Sequence, residues 1–267
     1  MSRIASTFRR LKKANEAALI PYVTVGYTSL GLTRQLLPII ARQGADLIEL
    51  GIPFSDPMAD GATVQRASHA ALEAGVTVAD CLSVAAEARR SNEVPLLFMS
   101  YYNPLHQYGL ERFANDAAGA GVDGLIIPDL PPEEAAEIKA ACDAAGLDLI
   151  FLIAPTSTDE RIKRIAEMAS GFIYCVSLVG VTGARTELGN AAGELVARVR
   201  EHTDLPLVVG FGISKPEQVA RMAAIADGAV VGSALVNLIE SHPEDEVMLE
   251  VSEYVRSLKE ATAKPQA

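Results

Sequence analysis

Short apolar segments alternate with helical segments along the whole chain, and this alternation constrains the fold more than any other feature. Most of the apolar segments are continuous runs of Val, Ile and Leu, which is typical of strands covered on both faces in a parallel sheet. We predict eight strands, at residues 19–25, 47–50, 95–100, 124–127, 149–153, 172–177, 207–210 and 229–231. Helical periodicity between them predicts helices that include 33–43, 78–91, 110–120, 133–145 and 159–169.

Eight strand–helix units in a chain of 267 residues predict an α/β fold, a (β/α)8 TIM barrel with an extra N-terminal helix. An open, doubly wound sheet is the alternative. No linker and no change of composition divides the sequence, so residues 1–267 are predicted to form a single domain.

The join between a helix and the next strand recurs as Gly44-Ala-Asp46, Gly121-Val-Asp123 and Gly146-Leu-Asp148, with Ala226-Asp227 as a variant. Each glycine is predicted to end its helix in the left-handed conformation, and each aspartate to form hydrogen bonds within the connecting turn. Ser214-Lys-Pro-Glu217 matches a capping box and predicts the start of a helix.

Composition and charge narrow the classes of function. The net charge of −11 argues against nucleic-acid binding, which needs a basic face, but it leaves room for a small anionic substrate. The three cysteines, Cys81, Cys142 and Cys175, have no metal-ligand spacing and indicate a reducing, cytoplasmic compartment. The N-terminus lacks the apolar core of a secretory signal and is predicted to form a short amphipathic helix, with an Arg-bearing transit peptide as the alternative. No apolar run has the length that a membrane crossing needs.

Carboxylates near the second predicted strand are the strongest indication of chemistry. Glu49 lies inside an apolar run, where an unpaired charge is costly, and Asp56 and Asp60 follow in a loop rich in Pro and Gly. In a barrel, strand ends and the loops after them form the catalytic face, and Tyr101 and Tyr174 are predicted to reach the same mouth. We therefore predict proton transfer by these acids, with a structural acid bonded to backbone or to an arginine as the alternative for Glu49.

Glycines follow three consecutive predicted strands, within residues 180–184, 210–214 and 232–233. Glycine lets backbone N–H groups approach an anion closely, and a helix beginning near Ser233 would direct its positive end toward that anion. Barrel enzymes often hold phosphate with the loops after their last strands, so we predict a phosphate site here. The sequence has neither a dinucleotide-binding nor a P-loop motif, which argues against a nucleotide ligand.

Lysines and histidines are absent from all of the predicted strands. A Schiff-base or pyridoxal enzyme needs a buried lysine, and a zinc-dependent aldolase needs several histidines at strand ends. We therefore predict that carboxylates carry out the chemistry, with no metal and no cofactor in this chain.

Several motifs resemble those of the tryptophan synthase α subunit family, in order and spacing, across residues 21–240. The most specific is the stretch from Glu49 to Gly61, Glu-Leu-Gly-Ile-Pro-Phe-Ser-Asp-Pro-Met-Ala-Asp-Gly. The others are Pro21-Tyr-Val-Thr24, Ser100-Tyr-Tyr-Asn103, Pro128-Asp-Leu-Pro131, Gly180-Val-Thr-Gly183, Gly210-Phe-Gly-Ile213 and Val231-Gly-Ser-Ala234.

The resemblance implies cleavage of indole-3-glycerol phosphate to indole and glyceraldehyde 3-phosphate. It implies that Glu49 protonates C3 of the indole ring and helps to deprotonate the glycerol hydroxyl, and that Asp60 binds the indole N–H. The predicted substrate-binding residues are Tyr22, Tyr101, Tyr174, Thr182, Gly183, Gly212, Gly232 and Ser233.

The family passes indole to a β subunit that carries pyridoxal phosphate, so the resemblance implies this partner in an α2β2 heterotetramer, with Asp56 and Pro57 at the interface. Two departures concern the closing loops: Ala62 stands where the family commonly has proline, and Leu178-Val179 where some members have polar residues. A loop without that proline is expected to close less tightly. The alternatives are another phosphosugar-binding barrel isomerase or synthase, and a weakly catalytic subunit that activates a partner.

Overall fold

The computed structural model describes residues 2–176, 185–210 and 212–264, with the backbone alone for 185–190, and in them eight parallel strands close into a barrel in chain order. The strands are β1 Ala18–Thr24, β2 Ile48–Gly51, β3 Leu96–Met99, β4 Gly124–Ile126, β5 Asp148–Ile153, β6 Ile173–Val176, β7 Leu207–Gly210 and β8 Gly228–Val231. Pairing of β1 with β8 places Ala18 opposite Gly228 and closes the barrel. The predicted TIM barrel is confirmed, and the open sheet is excluded, because an open sheet would leave these two strands unpaired.

Helices surround the barrel, twelve of them in the part of the chain that the structure describes, together with a 3-10 turn at Pro132–Glu134. They are α1 Arg3–Ala14, α2 Leu30–Arg42, α3 Ala62–Glu73, α4 Val78–Ser91, α5 Tyr102–Tyr108, α6 Leu110–Gly119, α7 Ala136–Ala145, α8 Asp159–Met168, α9 Arg185–Arg200, α10 Pro216–Ile225, α11 Ser233–Ser241 and α12 Glu244–Glu260. Over the described residues, no helix combines the length and the apolar character that a bilayer crossing requires.

Side chains alternate along each strand between the barrel interior and the layer of helices, and this alternation places the acid of β2. Ile48 and Leu50 pack into the cluster between strands and helices, whereas Leu47 belongs to the cluster inside the barrel. Because side chains in a strand point to opposite faces in turn, Glu49 shares the inward face with Leu47. The strand therefore directs its carboxylate into the barrel.

Helix α1 covers the N-terminal end of the barrel. Its buried residues Ile4, Phe8 and Leu11 belong to the same cluster as the side chains inside the barrel. The ring of Phe8 packs against that of Phe172, with 5.7 Å between the ring centroids. The predicted amphipathic N-terminal helix is thus confirmed, and its apolar face fills one end of the barrel.

The glycines of the repeated joins adopt the predicted left-handed conformation, with φ of 100° at Gly44, 82° at Gly121 and 75° at Gly146. The aspartates differ from the prediction, because they bond to the preceding strand rather than within the connecting turn. The carboxylates of Asp46, Asp123 and Asp227 accept backbone N–H groups of Leu19, Leu96 and Leu207, at 3.1, 2.9 and 2.9 Å respectively.

Each of these three aspartates also pairs with two cations at the N-terminal end of the barrel. The pairs are Arg10 and Lys259 with Asp46, Arg3 and Arg89 with Asp123, and Arg200 and Lys264 with Asp227. The fourth join departs from the pattern, since Oδ2 of Asp148 is buried and has no hydrogen-bond partner. These contacts connect neighbouring strands at the N-terminal end of the barrel, which in TIM barrels contributes to stability rather than to catalysis.

Candidate active site

A cavity of about 340 Å³ opens at the C-terminal end of the barrel, where TIM barrels carry their catalytic residues. Strands β1 to β6 and β8 contribute Tyr22, Glu49, Met99, Ile126, Leu152, Tyr174 and Val230 to its wall. The loops after β2, β7 and β8 add Asp60, Gly212, Gly232 and Ser233. The fold thus brings together, in one cavity, side chains that are far apart in sequence.

Glu49 is the most buried acid in this wall, with 1 % of its surface exposed. Its Oε2 atom has no hydrogen-bond partner, and no arginine or lysine is paired with it among the described residues. Burial, and after it the nearby charge of Asp60, raises the pKa of Glu49 to about 8. Buried carboxyl oxygens usually have a partner, so the orphaned Oε2 favours a chemical role for Glu49 over the alternative of a satisfied core carboxylate.

Asp60 lies in the loop between β2 and α3 and lines the same cavity as Glu49. Its carboxylate accepts a hydrogen bond from the hydroxyl of Tyr101 at 3.2 Å. Burial raises the pKa of Asp60 to about 6, while the bond from Tyr101 opposes this change. Near neutral pH the site therefore holds one protonated and one ionised carboxyl group, which suits an acid and an anionic partner in one reaction.

Two tyrosines line the cavity on either side of these acids. Tyr22 is buried on β1, and its hydroxyl oxygen accepts a hydrogen bond from Oγ1 of Thr24 at 3.2 Å. Tyr174 is buried on β6. Burial raises the pKa of both phenols well above the usual value, so both stay protonated and can donate a hydrogen bond.

Tyr101 occupies a different place from the other two predicted tyrosines. It is buried after β3 and is not among the residues that form the cavity wall. Its contact with the site passes through Asp60 and the backbone of Ala59, whose N–H it accepts at 2.9 Å. Phe54 stacks on its ring, with centroids 5.1 Å apart and an angle of 28° between the planes.

The glycines and the serine predicted to hold phosphate lie at the rim of the cavity. Gly212 has φ of 73°, a conformation that favours glycine, and it lines the cavity with Ser233. Helix α11 begins at Ser233, and its first helical bonds run from Leu235 and Val236 to the oxygen of Gly232. The N–H groups of Ser233 and the residue after it precede these bonds, so the positive end of the helix faces the cavity.

Gln218 bonds to the backbone of this rim without lining the cavity, and sequence reasoning missed it. Its Oε1 accepts the backbone N–H groups of Ser214 and Lys215, and its Nε2 donates to the oxygen of Gly212. The predicted capping box placed this role on Glu217, one residue too early, because the helix begins at Pro216 with Lys215 as its cap. A Glu or Gln three residues after the N-cap is the sequence pattern of a capping box, and with Lys215 as the N-cap this position is Gln218.

Thr182 and Gly183, predicted to close over the substrate and to bind phosphate, lie outside the described residues, as does the departure at Leu178-Val179. The predicted partner-contact residues are described. Asp56 is exposed, whereas Pro57 is buried, so the surface of this loop is formed by Asp56 and by Met58, which is 89 % exposed.

Within the described ranges, no cluster of three or more His, Cys, Asp or Glu side chains is arranged to hold a metal ion. The three cysteines are buried and unpaired. Burial raises the pKa of Cys142 and Cys175 to about 12, so neither thiol is a ready nucleophile. Among the described residues that line this cavity, the ionisable groups with altered pKa are the two carboxyls and the two tyrosines described above.

Comparison with known proteins is consistent along the whole chain. A family model described as "Tryptophan synthase alpha chain" matches residues 8–266. Tryptophan synthase alpha chains of Geotalea uraniireducens and of a Roseiflexus species are 54 % and 55 % identical, over 97 % of this chain and 97 % and 100 % of theirs. Among solved structures, tryptophan synthase from M. tuberculosis superposes with a TM-score of 0.91 at 37 % identity, covering 99 % of this chain and 100 % of that one. Tryptophan synthase subunit alpha from Legionella pneumophila gives 0.91 at 38 %, with 98 % of each chain covered.

Proposed function

The chain belongs to the tryptophan synthase α chain family, and we propose that it cleaves indole-3-glycerol phosphate into indole and glyceraldehyde 3-phosphate during tryptophan biosynthesis. It is a carbon–carbon lyase that works by carboxylate acid–base catalysis. One observation supports this most directly: a single cavity contains the buried carboxyl group of Glu49, whose Oε2 has no partner among the described residues, and a rim of backbone N–H groups at the start of α11.

The substrate has an anionic end and an apolar end, and the cavity has a matching place for each. The phosphate lies at the rim against Gly212, Gly232 and Ser233, where the N-terminus of α11 stabilises negative charge. The indole ring lies deeper, against Tyr22 and the apolar side chains of the strands. From the resemblance, the proposal also assigns substrate binding to Thr182 and Gly183, which lie outside the described residues.

Glu49 acts first as an acid and then as a base. Its carboxyl proton passes to C3 of the indole ring, which makes the ring an electron acceptor. The carboxylate then takes the proton of the hydroxyl on the carbon attached to C3. The bond between that carbon and C3 breaks, its electrons restore the aromatic ring, and the carbon leaves as an aldehyde. A pKa of about 8 keeps Glu49 protonated when the reaction begins.

Asp60 supports the same step from the other side of the ring. Protonation of C3 places positive charge on the indole nitrogen, and an ionised carboxylate that accepts the N–H stabilises this charge. Its pKa of about 6 leaves Asp60 ionised near neutral pH, as this role requires. In this proposal Tyr174 donates a hydrogen bond from the cavity wall to the substrate, and its phenol stays protonated throughout.

The proposal extends to a partner. Indole passes to a β subunit that carries pyridoxal phosphate, in a cytoplasmic α2β2 assembly, and the loop with exposed Asp56 and Met58 contacts that subunit. The chain itself needs no cofactor for its own step. The support for this part is the family membership.

The test is indole release from indole-3-glycerol phosphate by the purified chain, with and without a β subunit. Glu49→Gln keeps the shape of the side chain and removes its proton transfer, so we expect loss of cleavage in a chain that still folds. Glu73→Gln, at an exposed carboxylate of α3, is the matched control and should cleave like the wild type. Substantial turnover by Glu49→Gln would reject the proposed role.

The same assays separate the alternative functions. Turnover of another phosphosugar without indole release would favour an isomerase or synthase, and negligible cleavage in every assembly would favour an activating subunit.

A further inference from the structure

The hydroxyl group of Tyr101 connects two parts of the loop that carries Asp60. It accepts the backbone N–H of Ala59 at 2.9 Å and donates its own proton to Oδ2 of Asp60 at 3.2 Å. A phenol has one proton to donate, and both the donor and the acceptor function are engaged here. The oxygen therefore fixes the loop backbone and the carboxylate relative to each other.

The ring of Tyr101 is held as firmly as its hydroxyl group. The side chain is 4 % exposed, and the ring of Phe54 stacks on it from the other end of the same loop. Tyr101 itself follows β3 and immediately precedes α5, so it belongs to the rigid barrel rather than to the loop. The loop after β2 is thus anchored to the barrel through one side chain at Phe54, Ala59 and Asp60.

We infer that Tyr101 is a positioning residue: it holds the Asp60 carboxylate where an indole N–H is bound, and it does not contact the substrate itself. This inference rests on the proposed function, since it gives Asp60 its role. It also replaces the substrate contact predicted for Tyr101 with an indirect action, in keeping with the absence of Tyr101 from the cavity wall.

The charged and titratable groups around Asp60 determine how this contact affects its ionisation. Glu49 from β2, Tyr22 from β1, Tyr174 from β6 and Tyr101 from the end of β3 face it, and Asp129 after β4 faces Tyr101. None of these groups carries a positive charge. The hydrogen bond from Tyr101 stabilises the ionised form of Asp60 against burial, so its removal should raise the pKa of that carboxyl.

Tyr101→Phe tests the inference because it keeps the ring and its stacking on Phe54 while removing only the hydroxyl group. We expect the acidic limb of the kcat/KM profile to move up by about one pH unit, and kcat/KM near neutral pH to fall roughly tenfold. Tyr108→Phe is the matched control, because it removes a hydroxyl that bonds to Asp116, at 2.7 Å, on the surface of the barrel. It should leave the profile unchanged.

A second measurement does not depend on turnover. Carbon-13 labelling of aspartate carboxyls, with Asp60 assigned from Asp60→Asn, reports the titration of Asp60 directly. We expect its midpoint to rise in Tyr101→Phe and to stay unchanged in Tyr108→Phe. Titration and pH profile that coincide with those of the wild type would overturn the inference while leaving the proposed function intact. If the wild-type chain released no indole, the proposed function would fail, and with it the role given to Asp60.

Discussion

The hydroxyl oxygen of Tyr22 stands only 2.1 Å from the position that a Cβ atom would take at Gly51 on the neighbouring strand. In the sheet Tyr22 pairs with Glu49, and Gly51 pairs with Thr24. The Tyr22 side chain therefore reaches over the residue of β2 that lies two positions beyond its own partner. Tyr174 and Gly210 repeat this relationship on β6 and β7, at 2.2 Å. In both pairs the glycine is needed for the close approach of a phenol, and the two tyrosines of the cavity wall depend on it.

Gly51→Ala should therefore damage the active site more than the change of one methyl group suggests. The new Cβ would overlap the Tyr22 ring, so we expect a loss of about 2 kcal/mol in the free energy of unfolding and a drop in cleavage of tenfold or more. Gly119→Ala, where no atom beyond the adjacent backbone of its own helix lies within 4 Å of the new Cβ, is the matched control. Adding Tyr22→Leu to Gly51→Ala should restore stability without restoring cleavage. Denaturant melts of Gly51→Ala that match the wild type would contradict this account.

The two carboxyl groups predict a bell-shaped pH dependence of cleavage. Asp60 must be ionised, so kcat/KM should fall as the pH drops below about 6, and Glu49 must be protonated, so it should fall again above about 8. The optimum lies between these values. The measurement is initial indole release across the pH range, with the fold checked at each pH by circular dichroism. A rate that keeps rising above the pKa of Glu49 would show that its ionised form begins the reaction.

Much of this architecture follows from sequence patterns that act over short range. Continuous apolar runs located the strands, and an acid within such a run located Glu49, because few residues can be buried with a charge. The contact between Tyr101 and Asp60 joins residues 41 positions apart, and no local pattern encodes it. The same applies to Asp123, whose partners on β3 and α4 are set by the packing of the barrel.

Glu49 should also leave a signature in the stability of the fold. The carboxyl of an unfolded chain ionises near pH 4.5, while the folded chain holds the proton to about pH 8. Between these values the folded state binds more protons than the unfolded state, so stability falls as pH rises, by on the order of 1.4 kcal/mol for each unit of pKa difference. Asp60 contributes in the same direction only up to about pH 6, which leaves the higher range to Glu49.

Urea unfolding of Glu49→Gln at a series of pH values tests this linkage. The variant should lose the decline of stability between about pH 6 and about pH 8, and it should be more stable than the wild type at the upper end. Glu73→Gln should keep the wild-type slope, because that carboxylate is exposed. Parallel slopes in wild type and Glu49→Gln would mean that burial does not raise the proton affinity of Glu49.

The N-terminal end of the barrel offers a last comparison, between two aspartates at equivalent joins. Asp123 accepts the N–H of Leu96 and pairs with Arg3 and Arg89, at 3.0 and 2.7 Å, whereas Oδ2 of Asp148 has no partner. Asp123→Asn should therefore lose about 2 kcal/mol of stability, because it leaves a half-buried arginine without its counter-ion. Asp148→Asn should stay within about 0.5 kcal/mol of the wild type or be more stable. Both variants should cleave normally when folded, since this end lies away from the cavity. Equal losses in the two melts would show that the ion pairs of Asp123 do not stabilise the barrel.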